Sequence, residues 1–182
     1  MRVLTMAEDI RLTSTSYVVL GLIEYLGPST PYDLKGAIEQ SVENFWPVPH
    51  TTFYAEPTRL AAAGYLSEEQ ESGGRRRKLY SLTERGRDAL RAWVATGRAA
   101  PPQLRDEAML MIFFGADPAP LLAERLEWHR AKLAELSGYL ERIREASAAP
   151  GVERSLVVGT AYQRMMIELM SATDGPRPDT DP

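Results

Sequence analysis

The sequence predicts a mostly α-helical chain. Its first part reads as a winged helix-turn-helix with a two-stranded wing, its second as a coiled-coil-like helical dimerisation domain. Three observations predict this. Three helix-like stretches precede two short β-type runs that flank Ser72-Gly73-Gly74. Pro101-Pro102 then interrupts the chain, since a proline pair cannot continue a helix. Beyond it, apolar residues recur at alternating steps of four and three, the spacing of a coiled-coil seam.

The first helix is predicted over Ser14 to Leu26. Val18, Val19, Leu22, Ile23 and Leu26 form its apolar face, and Gly27-Pro28 stops it. Thr30 can cap the second helix, Pro31 suits its first turn, and Asp33 favours the positive helix end. Leu34, Ile38 and Val42 define its buried side. Pro47 and Pro49 hold the next segment extended or turned.

A third helix follows, capped by Thr51 or Thr52 and ended by Gly64. Phe53, Leu60 and Ala61 fall on one side, with Thr51, Ala55, Thr58, Arg59 and Ala62 on the other. Pro57 implies that this helix is bent, or that its regular part starts later than Thr52. Leu66 to Glu71 and Arg77 to Leu82 read as strands, with Lys78, Tyr80 and Leu82 sharing one face of the second. Thr83 can cap a fourth helix running to Thr96, with Leu90, Trp93 and Val94 as core candidates.

The domain boundaries predicted are a tail over 1–13, a DNA-binding domain over 14–97, a linker over 98–103, a dimerisation domain over 104–172 and a disordered tail over 173–182. In the second half, Leu104 to Phe114 reads as a short apolar helix. Asp117 and Pro118 start a long one reaching about Ala146. Its seam is Leu122, Leu126, His129, Leu133, Leu136, Leu140 and Ile143. That regularity and length assign the seam to a homodimer. A last helix covers Val152 to Ala172, with Leu156, Gly159, Gln163, Met166 or Ile167, and Met170 on one side.

Composition narrows the chemistry. The 182 residues are 44% hydrophobic and 25% charged, ordinary for a globular protein. There is no cysteine, which excludes disulfides, thiolate metal sites and cysteine nucleophiles. The only histidines, His50 and His129, fall in different predicted domains. No Ser/His/Asp arrangement, phosphate loop or metal-ligand spacing stands out, so neither an enzyme, a metal site nor a cofactor is expected. The N-terminus carries Glu8 and Asp9 without an apolar core, unlike a signal peptide, and no apolar run reaches membrane-spanning length. The expected location is the cytoplasm.

The net charge is −4, yet Arg75, Arg76, Arg77 and Lys78 stand together after two glycines. From Ser14 to Gly97 there are nine Lys plus Arg against ten Asp plus Glu, so DNA affinity must come from a local patch and from dimerisation. Arginines at a wing tip suit a narrow minor groove, whose negative potential is concentrated.

Nearly the whole chain, from about Thr15 to Thr173, resembles PadR-type transcriptional regulators. The resemblance rests on VVLGLIEYLGPSTPYDLKGAIE, HTTFYAEPTRLAAAGYL, RRRKLYSLTERGRDALRAWV, RDEAMLMIFFG and VVGTAYQRMMIELM. The last two look like the C-terminal helices of the longer PadR subgroup. Pro57 departs from the family's usual leucine, and Gly74-Arg75-Arg76 from its Gly-Arg-Pro wing tip. The resemblance implies a dimeric DNA-binding repressor, often released by a small molecule or another signal.

On that frame the DNA-contact candidates are Thr51, Thr52, Tyr54 and Arg59 on the third helix, and Gly74, Arg75, Arg76, Arg77 and Lys78 on the wing. The threonine hydroxyls suit phosphate, and Arg59 suits guanine O6 and N7. Trp46, Trp93 and Trp128 are candidates for a planar effector pocket, with core packing as the competing role. The competing function is a dimeric winged-helix module whose basic hairpin meets an acidic protein partner.

Overall fold

The computed structural model describes residues 10–39, 41–49, 51–70, 77–145 and 150–173. The chain divides into two compact units that meet between Ala100 and Pro101.

The first unit contains α1 (Ser14–Leu26), α2 (Pro31–Glu39), α3 (Thr52–Ala62), β1 (Leu66–Gln70), β2 (Lys78–Leu82) and α4 (Glu84–Ala95). Thr13 and Ser16 form a reciprocal capping box at the start of α1. Thr30 and Asp33 do the same for α2: Asp33 Oδ2 accepts from Thr30 N at 2.9 Å, and Thr30 Oγ1 from Asp33 N at 3.3 Å. Thr83 caps α4 by accepting from Gly86 N at 3.1 Å. Gly86 allows that first turn to sit against the Tyr65 carbonyl, where any Cβ would collide.

One core joins Val19, Leu20 and Ile23 of α1 to Leu34, Leu60 and Tyr80. A smaller cluster of Ile38, Val48 and Phe53 seals the side nearer α2. Each large apolar side chain withdrawn this way contributes about 1.5–3 kcal/mol. The buried stripe of α1 is Ser16, Val19, Leu20 and Ile23, rotated from the predicted face, and Leu26 is exposed. The rotation serves Ser16, whose hydroxyl has a buried polar partner described below. Val94 is no core residue: it is 66% exposed. Trp93 stacks on Tyr17 instead, with ring centroids 4.5 Å apart.

β1 and β2 pair antiparallel in the register Leu66↔Leu82 to Gln70↔Lys78. The α1–α2 loop adds a bridge on the other side of β2. Ser29 N donates to Tyr80 O at 3.0 Å, and Tyr80 N to Ser29 O at 2.9 Å. The wing is therefore anchored to the body at its base.

The second unit contains α5 (Glu107–Phe113), α6 (Pro118–Glu145) and α7 (Pro150–Thr173). α5 starts later than predicted because Asp106, not Leu104, precedes its first turn and caps it, accepting from Met109 N at 3.2 Å. The same carboxylate pairs with Arg125 of α6. α6 has 28 residues, about 42 Å at 1.5 Å per residue.

The heptad seam of α6 has a partner within the chain. α6 and α7 run antiparallel as a helical hairpin: Arg144 meets Glu153 near the turn at 2.8 Å, and His129 meets Gln163 further along. Leu136 and His129 are buried, while Leu122, Leu126, Leu133, Leu140 and Ile143 are half-buried. The seam packs first on the chain's own α7, whose Gln163 and Met170 are buried and whose Gly159 lies beside Leu136. The half-buried seam leucines and Ile143 keep a surface that a second copy could cover. Of the predicted tails 1–13 and 173–182, residues 1–9 and 174–182 lie outside the described residues, while Ile10 and Leu12 pack against the core, Thr13 caps α1 and Thr173 ends α7.

Candidate nucleic-acid interface

α3 runs unbroken from Thr52 through Pro57 to Ala62, so the expected late start is not observed. Pro57 is buried in the helix and supplies no N–H to its turn. Gly64, at φ +76°, ends the turn that follows. Thr51 occupies the N-cap position, but its side chain makes no capping hydrogen bond because its backbone is already helical, at φ −60° and ψ −26°. Thr52 N donates instead to the Pro49 carbonyl at 2.9 Å.

Phe53, Glu56, Pro57 and Leu60 face inward. Thr51, Tyr54, Ala55, Thr58 and Ala62 are exposed along the opposite side, while Thr52 is half-buried. Arg59, expected on that outer face, is committed to the fold. Its Nε donates to Glu56 Oε2 at 2.8 Å, and Nη2 to Glu56 Oε1 at 2.6 Å and to Ser16 Oγ at 3.0 Å. Nη1 reaches the Arg11 carbonyl at 3.4 Å. Ser16 Oγ also donates to Glu56 Oε1 at 2.6 Å. Burial pushes the Glu56 carboxyl up, but the hydrogen bonds from Arg59 and Ser16 outweigh it and hold its pKa below the usual range. The Glu56–Arg59 spacing of three was visible in the sequence; Ser16, forty residues away, was not.

Gly74, Arg75 and Arg76, with the rest of 71–76, lie outside the described residues. Arg77 and Lys78 are exposed at the base of the wing. Lys78 Nζ pairs across the strands with Glu68 Oε1 at 2.8 Å. That contact raises the lysine's pKa and lowers the carboxylate's. As a solvent-exposed pair it is open to exchange with another anion. Behind it, the Tyr80 hydroxyl lies 3.0 Å from Thr58 Oγ1, joining the wing to α3.

Thr30, Pro31, Tyr32, Tyr54, Arg77 and Lys78 line one open cleft of about 220 Å³. Three elements converge there: the N-terminus of α2, the first turns of α3 and the start of β2. Arg77 also lowers the Asp33 pKa, after the larger effect of the Thr30 hydrogen bonds. The surface the lining residues present to the cleft is apolar, and the carboxylates of Asp33 and Glu68 sit at the α2 N-terminus and on Lys78, so an incoming phosphate would have to exchange with them. Tyr32 was missed by sequence reasoning. An exposed aromatic in the first turn after a Thr-Pro cap was its only signal. Lys35, further along α2, pairs with Glu39 at 3.4 Å.

Trp46 and Trp93 belong to the first unit and Trp128 to the second. Trp46 follows a 3-10 turn over Val42–Asn44 and is partly exposed; Trp93 is stacked on Tyr17. Trp128, in the second unit, meets the edge of His129. Among the described residues no group of three His, Asp or Glu could hold a metal ion, and no helix is long and apolar enough to cross a membrane.

The model of the Transcriptional regulator PadR-like family matches residues 19–92, a span that runs from within α1 into α4. Over that span the chain is similar to PadR-like regulators. It is 28% identical over 141 residues to the Negative transcriptional regulator PadR of Bacillus subtilis (strain 168), covering 74% of this chain and 76% of that one. In fold the chain resembles Bacillus subtilis PadR in complex with operator DNA, with TM-score 0.77 and 22% identity over 91% of this chain and 98% of the other. It resembles the same protein in complex with p-coumaric acid with TM-score 0.68 and 23% identity, over 90% and 96%.

Proposed function

We propose that this PadR-like chain is a homodimeric repressor that binds double-stranded DNA with α3 and the wing and is released by a small molecule or another signal. The observation that carries this reading is the cleft in which Tyr32, Tyr54, Arg77 and Lys78 surround the N-terminus of α2. It would hold the phosphate backbone at the edge of the major groove, with Thr51 and Thr52 alongside. Arg75 and Arg76 would extend the same contact into the neighbouring minor groove. Its relative in Bacillus subtilis is named a negative regulator, which supports repression.

Dimerisation would use the half-buried part of the α6 seam together with a neighbouring stripe on α7. Val158, Tyr162, Met165 and Leu169 are exposed on α7 at steps of four, three and four, a second heptad stripe that one chain leaves uncovered. Two-fold pairing would present two reading heads to half-sites about one helical turn of DNA apart. The p-coumaric acid complex of the related protein supports a planar effector, toward which Trp46, Trp93 and Trp128 remain the candidates. We place the protein in the cytoplasm and assign it no catalytic step.

The test is fluorescence anisotropy on DNA upstream of its own coding region against scrambled DNA, over a salt series, with the variant R75A/R76A/R77A. Preferential binding that weakens with salt, and a shallower slope in the variant, is expected. A folded dimer that binds neither this site nor any duplex from a selected pool would refute the reading and leave a protein-interaction module.

A further inference from the structure

We propose that α3 recognises its operator through thymine methyl groups, using a stripe of small side chains, and not through hydrogen bonds to guanine or adenine. This rests on the DNA-binding reading above and specifies its chemistry.

Bidentate base recognition in the major groove uses Arg or Lys on guanine and Asn or Gln on adenine. The α3 sequence TFYAEPTRLAA holds no Lys, Asn or Gln. Its one arginine, Arg59, is held by both carboxylate oxygens of Glu56, by Ser16 and by the Arg11 carbonyl. Glu56 itself, which could accept from cytosine, is 8% exposed and fully engaged with Ser16 and Arg59.

What α3 exposes is Thr51, Tyr54, Ala55, Thr58 and Ala62. Tyr54 lines the phosphate cleft. The Thr58 hydroxyl is occupied twice, donating to the Tyr54 carbonyl at 3.2 Å and pairing with the Tyr80 hydroxyl at 3.0 Å. Its methyl is the group left for an outside partner. Ala55 and Ala62 have only methyls. Among the groups that distinguish base pairs in the major groove, the apolar one is the thymine C5-methyl, which Ala and Thr methyls contact. Small side chains also let the helix approach the bases closely.

The experiment begins with the full-length protein and a random duplex pool, from which the preferred site is selected. Synthetic copies then carry deoxyuridine for each thymine in turn, removing only the C5-methyl, or 7-deazaguanine for each guanine, removing only N7. Each contacted thymine should lose about fourfold in affinity when demethylated, the worth of one buried methyl. Substituting guanine should change affinity by less than about twofold, because a lost bidentate contact would cost about fivefold or more. Thr58→Ser keeps the hydroxyl and its two partners, which thermal unfolding would verify. It should bind the thymine duplex more weakly and lose the preference for thymine over uracil at one position. Indifference to deoxyuridine together with a large 7-deazaguanine effect would mean that Arg59 leaves Glu56 to read guanine. That would overturn this inference while the DNA-binding reading stood. Failure to select any duplex would overturn both.

Discussion

Glu56 shows what one buried carboxylate does for a reading helix. Three donors, two on Arg59 and the hydroxyl of Ser16, converge on its two oxygens. Removing it strands a guanidinium that is partly withdrawn from water. Glu56→Ala should therefore cost about 3 kcal/mol of unfolding free energy, and Glu56→Gln about 1–2, as read by urea denaturation. The sign of the pH effect follows from the depressed pKa. A carboxyl held below its ordinary 4.5 stabilises the fold above that value, and the contribution fades as pH falls through the folded-state pKa. Wild type should lose stability below about pH 4.5 faster than Glu56→Gln does. Tyr32→Phe makes a different demand: it removes a single hydroxyl at the cleft and should weaken binding about fivefold on every duplex alike, since phosphate contacts carry no sequence information. Equal affinity of wild type and Tyr32→Phe would take Tyr32 off the backbone.

Elements were legible where local chemistry decides them. Thr30, Thr83 and Gly64 mark helix ends through hydrogen bonds or φ values that depend on near neighbours, and the spans of α1 and β2 follow the side-chain periods. The long-range pairings were not legible. A 4-3 seam states that a helix has a partner, but not whether the partner is another copy or the next helix. Here α7 runs back along α6, and the polar seam residue His129 finds Gln163 at 2.5 Å. Either single change, His129→Leu or Gln163→Leu, leaves one buried polar group unpaired and should cost about 1–3 kcal/mol. The double change should recover most of that, and a thermal-denaturation cycle would measure the coupling. Additive losses in the cycle would mean that the two side chains do not act as a pair.

For the whole molecule, net charge is a poor guide to partner choice. The interface holds Arg77 and Lys78 beside Asp33 and Glu68, and at about 10 Å salt already screens charges further off. The PadR-like resemblance covered both units, yet the residues facing outward on α3 had to be seen in place, because Arg59's role depends on a serine forty-three positions earlier. If the exposed α7 stripe joins two copies, Met165→Glu combined with Leu169→Glu should yield monomers in sedimentation. Operator affinity should then fall toward that of one half-site, with the first unit's helicity unchanged. A dimer that survives both charges would move the interface away from α7.

The bridge between Ser29 and Tyr80 has a kinematic consequence. Tyr80 is tied by its backbone to the loop between α1 and α2, by register to Glu68, and by its hydroxyl to Thr58 on α3. The wing base therefore has almost no freedom of its own. A displacement at the start of α2 is transmitted to β2 and α3 together, as in a rigid linkage. A change that moved the recognition helix without the wing base would have to break the Tyr80–Thr58 hydrogen bond, and one that moved the wing base alone would have to break the Ser29 bridge as well.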